Sequence, residues 1–408
     1  MNAEVKELMK AIDGGILAPK GFWAEGIHAG LRYSHNDLGI LYSERPAQAA
    51  AVYTLNSYQA APIHVTKESI AKNGTLQALV VNSACANACT GERGLKDAET
   101  MRAAVADKFG LTPYDVAVAS TGVIGQFLEI EKITAGIKEI ELTKESSGGE
   151  GFEKAILTTD TCTKKCAFEA VIDGVTVSMG GAAKGSGMIH PNMATMLGFV
   201  TTDAKVEQKS LERALRKVTD ISFNQITVDG DTSTNDMVLV MANGAAGNEL
   251  LNENHPDWLI FMTLLKETCE CLAKKIARDG EGATKLVEVH VTGAETDLEA
   301  KTIAKTVIAS NLVKTAVYGA DANWGRIVGA MGRSNIPFNQ ERVSISFGPV
   351  EVFHHGTPVI FDEEKARDYL LGDEVQILIQ LADGLGAGKA WGCDLTYDYV
   401  KINASYRT

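Results

Sequence analysis

Short apolar runs, some alternating and some continuous, recur along the chain between stretches of helical period. Leu76–Asn82 (LQALVVN) is rich in strand formers, and Asp115–Ser120 (DVAVAS) alternates until it breaks at Thr121-Gly122. Phe168–Met179 reads as a hairpin, because Asp173-Gly174 is the dipeptide favoured by a two-residue primed turn. Met237–Met241, Leu286–Val291, Val343–Phe347, Val350–Phe353 and Glu374–Leu381 complete the strands. The clearest helix is Trp258–Arg278. Trp258, Phe261, Met262, Leu265, Leu272 and Ile276 share a face there, and Asp279-Gly280 ends the run. The acidic, glycine-containing stretch Glu145–Glu150 reads as a loop. Strand and helix patterns alternate without a repeat or a long linker, which predicts one continuous α/β body.

Composition narrows the class. With 45% hydrophobic and 22% charged residues, the 408-residue chain is neither disordered, collagenous nor a coiled coil. A net charge of −13 argues against a general nucleic-acid binder, which needs clustered Lys and Arg, and against attraction to anionic membrane surfaces. The segment MNAEVKELMK has acids and no apolar core, so no leader peptide is expected. No apolar run approaches the roughly 18 residues of a membrane span. Seven cysteines, an odd number, fit reduced thiols in a cytoplasmic protein. Cys85 with Cys89 and Cys162 with Cys166 lack the spacing of a zinc site, and no His lies close in sequence, so no metal is expected.

Several motifs carry chemistry only in part. Gly384–Lys389 is one residue short of a Walker phosphate loop and lacks its hydroxyl, and Gly180–Gly187 lacks the last glycine of a dinucleotide fingerprint. Neither supports a nucleotide cofactor. Asp229–Asp236 (DGDTSTND) lacks the register of a calcium loop. In Gly180–Val200 (GGAAKGSGMIHPNMATMLGFV), a glycine cluster holding Lys184 leads through a Pro turn to Ala194-Thr195 and an apolar run. Thr195 is a candidate nucleophile there, and His190 a candidate base or a turn residue. Thr121 and Gly122, on a turn after a strand, have the groups of an oxyanion hole. Thr158–Thr161 (TTDT) is a polar cluster, and Glu281 sits on the turn after the long helix.

Taken in order, these pieces resemble the ornithine acetyltransferase (glutamate N-acetyltransferase) family of arginine biosynthesis. The resemblance rests on Asn82–Gly91, Ser120–Gly122, Thr158–Thr161, Ala183–Gly185, Met193–Leu197, Thr227–Asp236, Asp279–Gly282, Gly319–Arg326 and Asn403–Thr408, and it spans nearly the whole chain. One departure is visible. The family often has Gly-Asn where this chain has Ala84-Cys85.

The resemblance implies a layered αββα sandwich that cuts itself between Ala194 and Thr195. The α-chain would be residues 1–194, with the oxyanion hole and Gly-Lys loop. The β-chain would be 195–408, and the two would assemble as an α2β2 heterotetramer. It implies Thr195 as nucleophile, Thr121 and Gly122 as oxyanion hole, and Thr158, Lys184, Thr195, Glu281, Asn403 and Thr408 as substrate contacts. Acetyl would pass from N-acetylornithine to Thr195 and then to glutamate, with no cofactor and with acetyl-CoA open as a co-substrate. The chemistry fits the residue types. A threonine hydroxyl is a weak nucleophile until a base takes its proton, and a new N-terminus supplies an α-amine of pKa about 7.7–8.0 on the same residue. Lys184 suits a substrate carboxylate and Glu281 an ammonium. Two other readings stay open at this point: an aminopeptidase that cuts itself to an N-terminal nucleophile, and a non-enzymatic amino-acid-binding protein.

Overall fold

The computed structural model describes residues 8–190 and 196–405. The long strand Leu38–Tyr53 organises the first of two sheets. Its odd positions Leu41, Ala47 and Ala49 enter one apolar cluster, while Leu38, Ile40, Ala50 and Val52 face the other way. Pro46 falls where its register with Thr75–Asn82 slips, a place where a residue without an N–H is tolerated. The spatial order is Met9–Ala11, Lys164–Ile172, Val175–Lys184, Leu197–Thr202, Met237–Ala242, Leu38–Tyr53, Thr75–Asn82 and Val116–Ser120, with Phe22–Ile27 on the free half of the long strand. The expected hairpin is there. Asp173 and Gly174 both take positive φ, 54° and 73°, as a primed turn requires.

This sheet is curled. Five strand spacings separate Val175–Lys184 from Val116–Ser120, about 24 Å if the sheet were flat. Lys184 Nζ nevertheless lies 3.4 Å from Thr121 Oγ1, just beyond the far strand. The inner faces of the two halves share one core: Leu79, Val81, Ala117 and Ala119 with Ala182, Leu197, Phe199, Met237 and Leu239. Helices Ala61–Asn73, Gly91–Phe109 and Ile130–Glu139 cover one outer face, and Gln208–Asp220 and Trp258–Arg278 the other. The layers run helix, sheet, sheet, helix, the expected αββα arrangement. The long helix occupies its predicted span and buries Phe261, Leu265, Leu272 and Ile276.

Glu145–Glu150 corrects the sequence reading, because Ser146–Ala155 is a helix and not a loop. Its glycines are contact points. A β-carbon on Gly148 or Gly151 would collide with the strand Phe22–Ile27, at Ala24 O and Glu25 respectively. That close approach seats Phe152 in the inner core, with its ring 5.8 Å from Phe199.

The second sheet orders Thr357–Pro358, Val350–His354, Ser344–Phe347, Glu374–Gln380, Leu286–Ala294, Gly386–Cys393 and Ile226–Thr227. Helices Asp297–Ile308, Asn311–Tyr318, Trp324–Gly332 and Glu363–Leu370 accompany it. Trp391 and Cys393 on its strand Gly386–Cys393 belong to the core under the long helix, so the two sheets form one body. Among the described residues no helix is long and apolar enough to cross a membrane.

Candidate active site

Where the curl closes, a cavity forms whose wall carries Thr121, Gly122, Thr158, Lys184, Glu281 and Asn403. These are six of the expected site residues, brought together from distant parts of the chain. Ile189 and Met196 line the same cavity, so the chain borders it on both sides of residues 191–195. Ala194, Thr195 and Thr408, the other expected residues, lie outside the described residues.

Thr121 and Gly122 are held by backbone. Thr121 N–H donates to Asn82 O at 3.0 Å and Val123 N–H to Ala84 O at 2.9 Å. Gly122 has φ of +129°, and a β-carbon there would stand 2.7 Å from Cys85 N, so only glycine fits. Among the described residues no acceptor meets the Gly122 N–H. The departure at Ala84-Cys85 lies against this turn. Ala84 takes φ of +84°, the conformation for which glycine is the ordinary choice.

Lys184 ends its strand with a side chain only 7% exposed. Burial, reinforced by the charge of Lys164, holds its pKa below that of an ordinary lysine, while Asp160, Asp236 and Glu281 pull the other way. Behind it lies a buried charge network. Asp160 Oδ1 accepts from Lys164 Nζ and from Gly185 N–H, both at 2.6 Å, and Oδ2 accepts from Thr158 N–H at 2.9 Å. Burial alone would raise Asp160, but Lys184, Lys164 and these bonds outweigh it and hold it at about 2. Lys164 Nζ also reaches Asp279 Oδ2 at 2.5 Å, and Asp279 accepts from Thr161 through both N–H and hydroxyl. The TTDT cluster thus ties the Lys184 strand to the end of the long helix. Arg32 pins its start through Leu157 O and Thr158 O, at 2.7 and 3.0 Å.

Glu281 follows two residues after Asp279. Its N–H donates to Ser186 O at 3.0 Å, and its Oε2 accepts from Asn403 Nδ2 at 2.7 Å. Asn403 belongs to the helix Tyr397–Ser405, which also brings Tyr399 to the wall. Asp229 fixes the approach to residue 191, accepting from Met188 and Ile189 N–H at 2.6 and 2.9 Å. On the far side Met196 O accepts from Met237 N–H at 2.9 Å.

The sequence of the arginine biosynthesis bifunctional protein ArgJ of Bacillus subtilis (strain 168) is 62% identical over 398 residues, 97% of this chain and 97% of that protein. The protein of the same name from Geobacillus kaustophilus (strain HTA426) is 60% identical over 405 residues, 99% of each. The profile of the ArgJ family matches residues 23–408. The chain belongs to the ArgJ family. A solved structure of arginine biosynthesis bifunctional protein ArgJ from Bacillus halodurans is 58% identical, with a TM-score of 0.51, and covers 52% of this ArgJ chain and all of its own.

His190 is not among the residues lining the cavity. Its Nδ1 lies 3.0 Å from Thr227 Oγ1, and its carbonyl accepts from Thr232 Oγ1 at 2.9 Å. Burial, with Lys305 adding to it, brings its pKa down to about 4, and Asp231 only partly opposes this. Its contacts hold the ring against Thr227 and not among the residues that line the cavity. Asp229 accepts from three backbone N–H groups, those of Met188, Ile189 and Asp231. Four residues of this site carry no local sequence signal of their role: Asp160, Lys164, Asp279 and Asp236. The TTDT cluster marks Asp160 as polar, but its partners lie far away in the chain.

Proposed function

We propose that this chain is the glutamate N-acetyltransferase of arginine biosynthesis that its family membership indicates. It takes acetyl from N-acetylornithine onto Thr195, releases ornithine, and passes acetyl to glutamate. The observation that carries this reading is the convergence of Thr121 hydroxyl, Gly122 N–H and Lys184 ammonium on a cavity bordered by Met196, the residue after Thr195. Two hydrogen-bond donors at a turn suit the oxyanion that forms in each half-reaction. Lys184 suits a substrate carboxylate, and Glu281, steadied by Asn403, suits an ammonium. Thr158 and Thr408 complete the expected contacts.

The same reading includes self-cleavage between Ala194 and Thr195. Attack of the Thr195 hydroxyl on the Ala194 carbonyl breaks the peptide C–N bond, which frees the α-amine that serves as base in later turnover, and leaves an ester whose hydrolysis separates the two fragments. The Bacillus halodurans structure lends support by its size. Its chain spans 52% of this one, and residues 195–408 are 214 of 408. Fragments 1–194 and 195–408 would assemble as α2β2 in the cytoplasm, with no cofactor. Whether acetyl-CoA also donates is tested by supplying it in place of acetylornithine.

The test of the reading is the mass of the denatured protein with and without N-acetylornithine. Two fragments are expected, with residues 195–408 heavier by one acetyl group after incubation. A full-length chain that stays uncut and unacetylated would overturn it.

A further inference from the structure

One group on the cavity wall has no part in the scheme so far. Asp236, on the cavity wall, is 3% exposed, and its Oδ2 has no hydrogen-bond partner among the described residues. The Ser233 side chain stabilises its charged form, and Thr54 N–H donates to its backbone carbonyl at 3.0 Å. Asp97 Oδ2 and Glu153 Oε2 also lack a hydrogen-bond partner among the described residues, but of the three carboxyls only that of Asp236 lies on the cavity wall. It is one of the residues lining the cavity that also carries Thr121, Gly122 and Lys184. Its neighbour Asn235 donates to Ser120 O at 2.9 Å, next to the Thr121-Gly122 turn. Its other neighbour, Met237, binds Met196 O, next to Thr195. Asp236 is therefore held between the oxyanion turn and the nucleophile's strand, with Lys184 as the cation facing it.

We infer that Asp236 is the proton donor to the leaving amine in acylation and the proton acceptor from the attacking amine in deacylation. The inference rests on the acetyl-Thr195 reading. In acylation the Thr195 Oγ–acetyl bond forms, and the hydroxyl proton passes to the Thr195 amine. The bond from acetyl carbon to the ornithine nitrogen breaks as that nitrogen takes the proton of the Asp236 carboxyl. Ornithine leaves as an amine and is protonated by solvent. In deacylation the neutral amine of glutamate attacks the acetyl carbon, the new C–N bond forms as the acetyl C–Oγ bond breaks, and the surplus proton of the amine returns to Asp236. Thr195 Oγ then recovers its proton from its own ammonium, and the site is restored.

The electrostatics suit the role. Burial pushes the Asp236 carboxyl well above the usual carboxylate range, and the Ser233 bond and the Lys184 charge offset this only in part. Lys184 divides its attraction among Asp160, Glu281 and Asp236. A carboxyl whose protonated form is favoured by burial, on the wall of this cavity, suits a general acid.

The experiment compares two acetyl donors on Asp236→Asn. N-acetylornithine has a poor leaving group that needs a proton, whereas p-nitrophenyl acetate does not. Acetylation of the 195–408 fragment, followed by mass, should slow at least about 100-fold with acetylornithine and stay near the wild-type rate with the ester. Wild-type acylation by acetylornithine should fall on the alkaline side as Asp236 ionises, and acylation by the ester should not. Equal loss with both donors, or loss with neither, overturns the assignment. If wild type gains no acetyl group from either donor, the Thr195 reading fails and takes this one with it. Should Asp236→Asn stay uncut, Asp236→Glu is compared on the same donors. A retained alkaline limb with acetylornithine supports the assignment, and wild-type turnover without that limb overturns it.

Discussion

The carboxylate of Glu281 lies directly over the backbone of Gly187. A β-carbon on Gly187 would stand 2.5 Å from Glu281 Oε2 and closer still to the other carboxyl atoms. The glycine is therefore a condition for the position of the acid. Gly187→Ala should displace Glu281 from Asn403 while leaving the fold intact. The expected effect is a KM for acetylornithine raised about 10- to 100-fold, on the order of 1.5–3 kcal/mol for one charge-assisted bond. Glu281→Gln should raise KM similarly, and the double variant little further. Additive losses would show that the glycine acts elsewhere.

Asp160 gives a stability prediction with a definite pH window. Its carboxylate is held at about 2 in the folded chain, against about 3.9 when unfolded. A depressed acid stabilises the fold above its unfolded pKa and loses that contribution as pH falls through the folded one. Denaturant midpoints of wild type and Asp160→Asn should therefore differ by a constant amount down to about pH 4. Between pH 4 and 2 the gap should narrow by on the order of 2 kcal/mol. A gap that does not narrow would mean that Lys164 is balanced mainly by Asp279.

The parts legible in sequence are those whose signal is local. Strand Val116–Ser120 with its turn, the Gly-Lys strand end and the Trp258–Arg278 helix each carry their pattern within a few residues. The Lys164–Asp279 pair spans 115 residues, and nothing near either position announces the other. Asp236 is harder still, because what sets it apart is the combination of a carboxyl oxygen unpartnered among the described residues with a place on the cavity wall. Glycine misleads at Ser146–Ala155. In isolation it disfavours a helix, but here it lets the helix touch a strand, and that packing decides the outcome. The curl of the sheet follows from how distant strands pack, which no single segment encodes.

The choice of base can be read from the acidic limb of kcat/KM. The Thr195 amine starts from about 7.7–8.0, and in the proposed site the cation Lys184 would lower it. His190, bonded to Thr227, sits at about 4. The two limbs are well separated, so the limb of the wild-type enzyme is expected well above pH 4. His190→Asn should keep it at nearly the same pH, even if the rate falls because the turn is disturbed. An acidic limb near pH 4 that vanishes in His190→Asn would give the proton to His190 and remove the chemical reason for exposing a new amine.

Cleavage at Ala194-Thr195 should leave one cooperative body, because the strands on either side of the cut share a sheet. Leu197–Thr202 pairs with Val175–Lys184 from Met179↔Thr202 to Lys184↔Leu197. Met237–Ala242 pairs with Leu38–Tyr53 from Met237↔Tyr53 to Ala242↔Gln48. The two strands of the second fragment thus lie between strands of the first. They also bring Leu197, Phe199, Met237, Leu239 and Met241 into the inner core. Burial of these five side chains is worth on the order of 10 kcal/mol in all. The cut protein should therefore elute from gel filtration with both fragments together and melt in a single transition. Phe199→Ala, which removes the ring beside Phe152, should lower stability by about 3–5 kcal/mol without releasing either fragment. Fragments that separate in native buffer, or melt apart, would show that the shared ladders do not hold the halves.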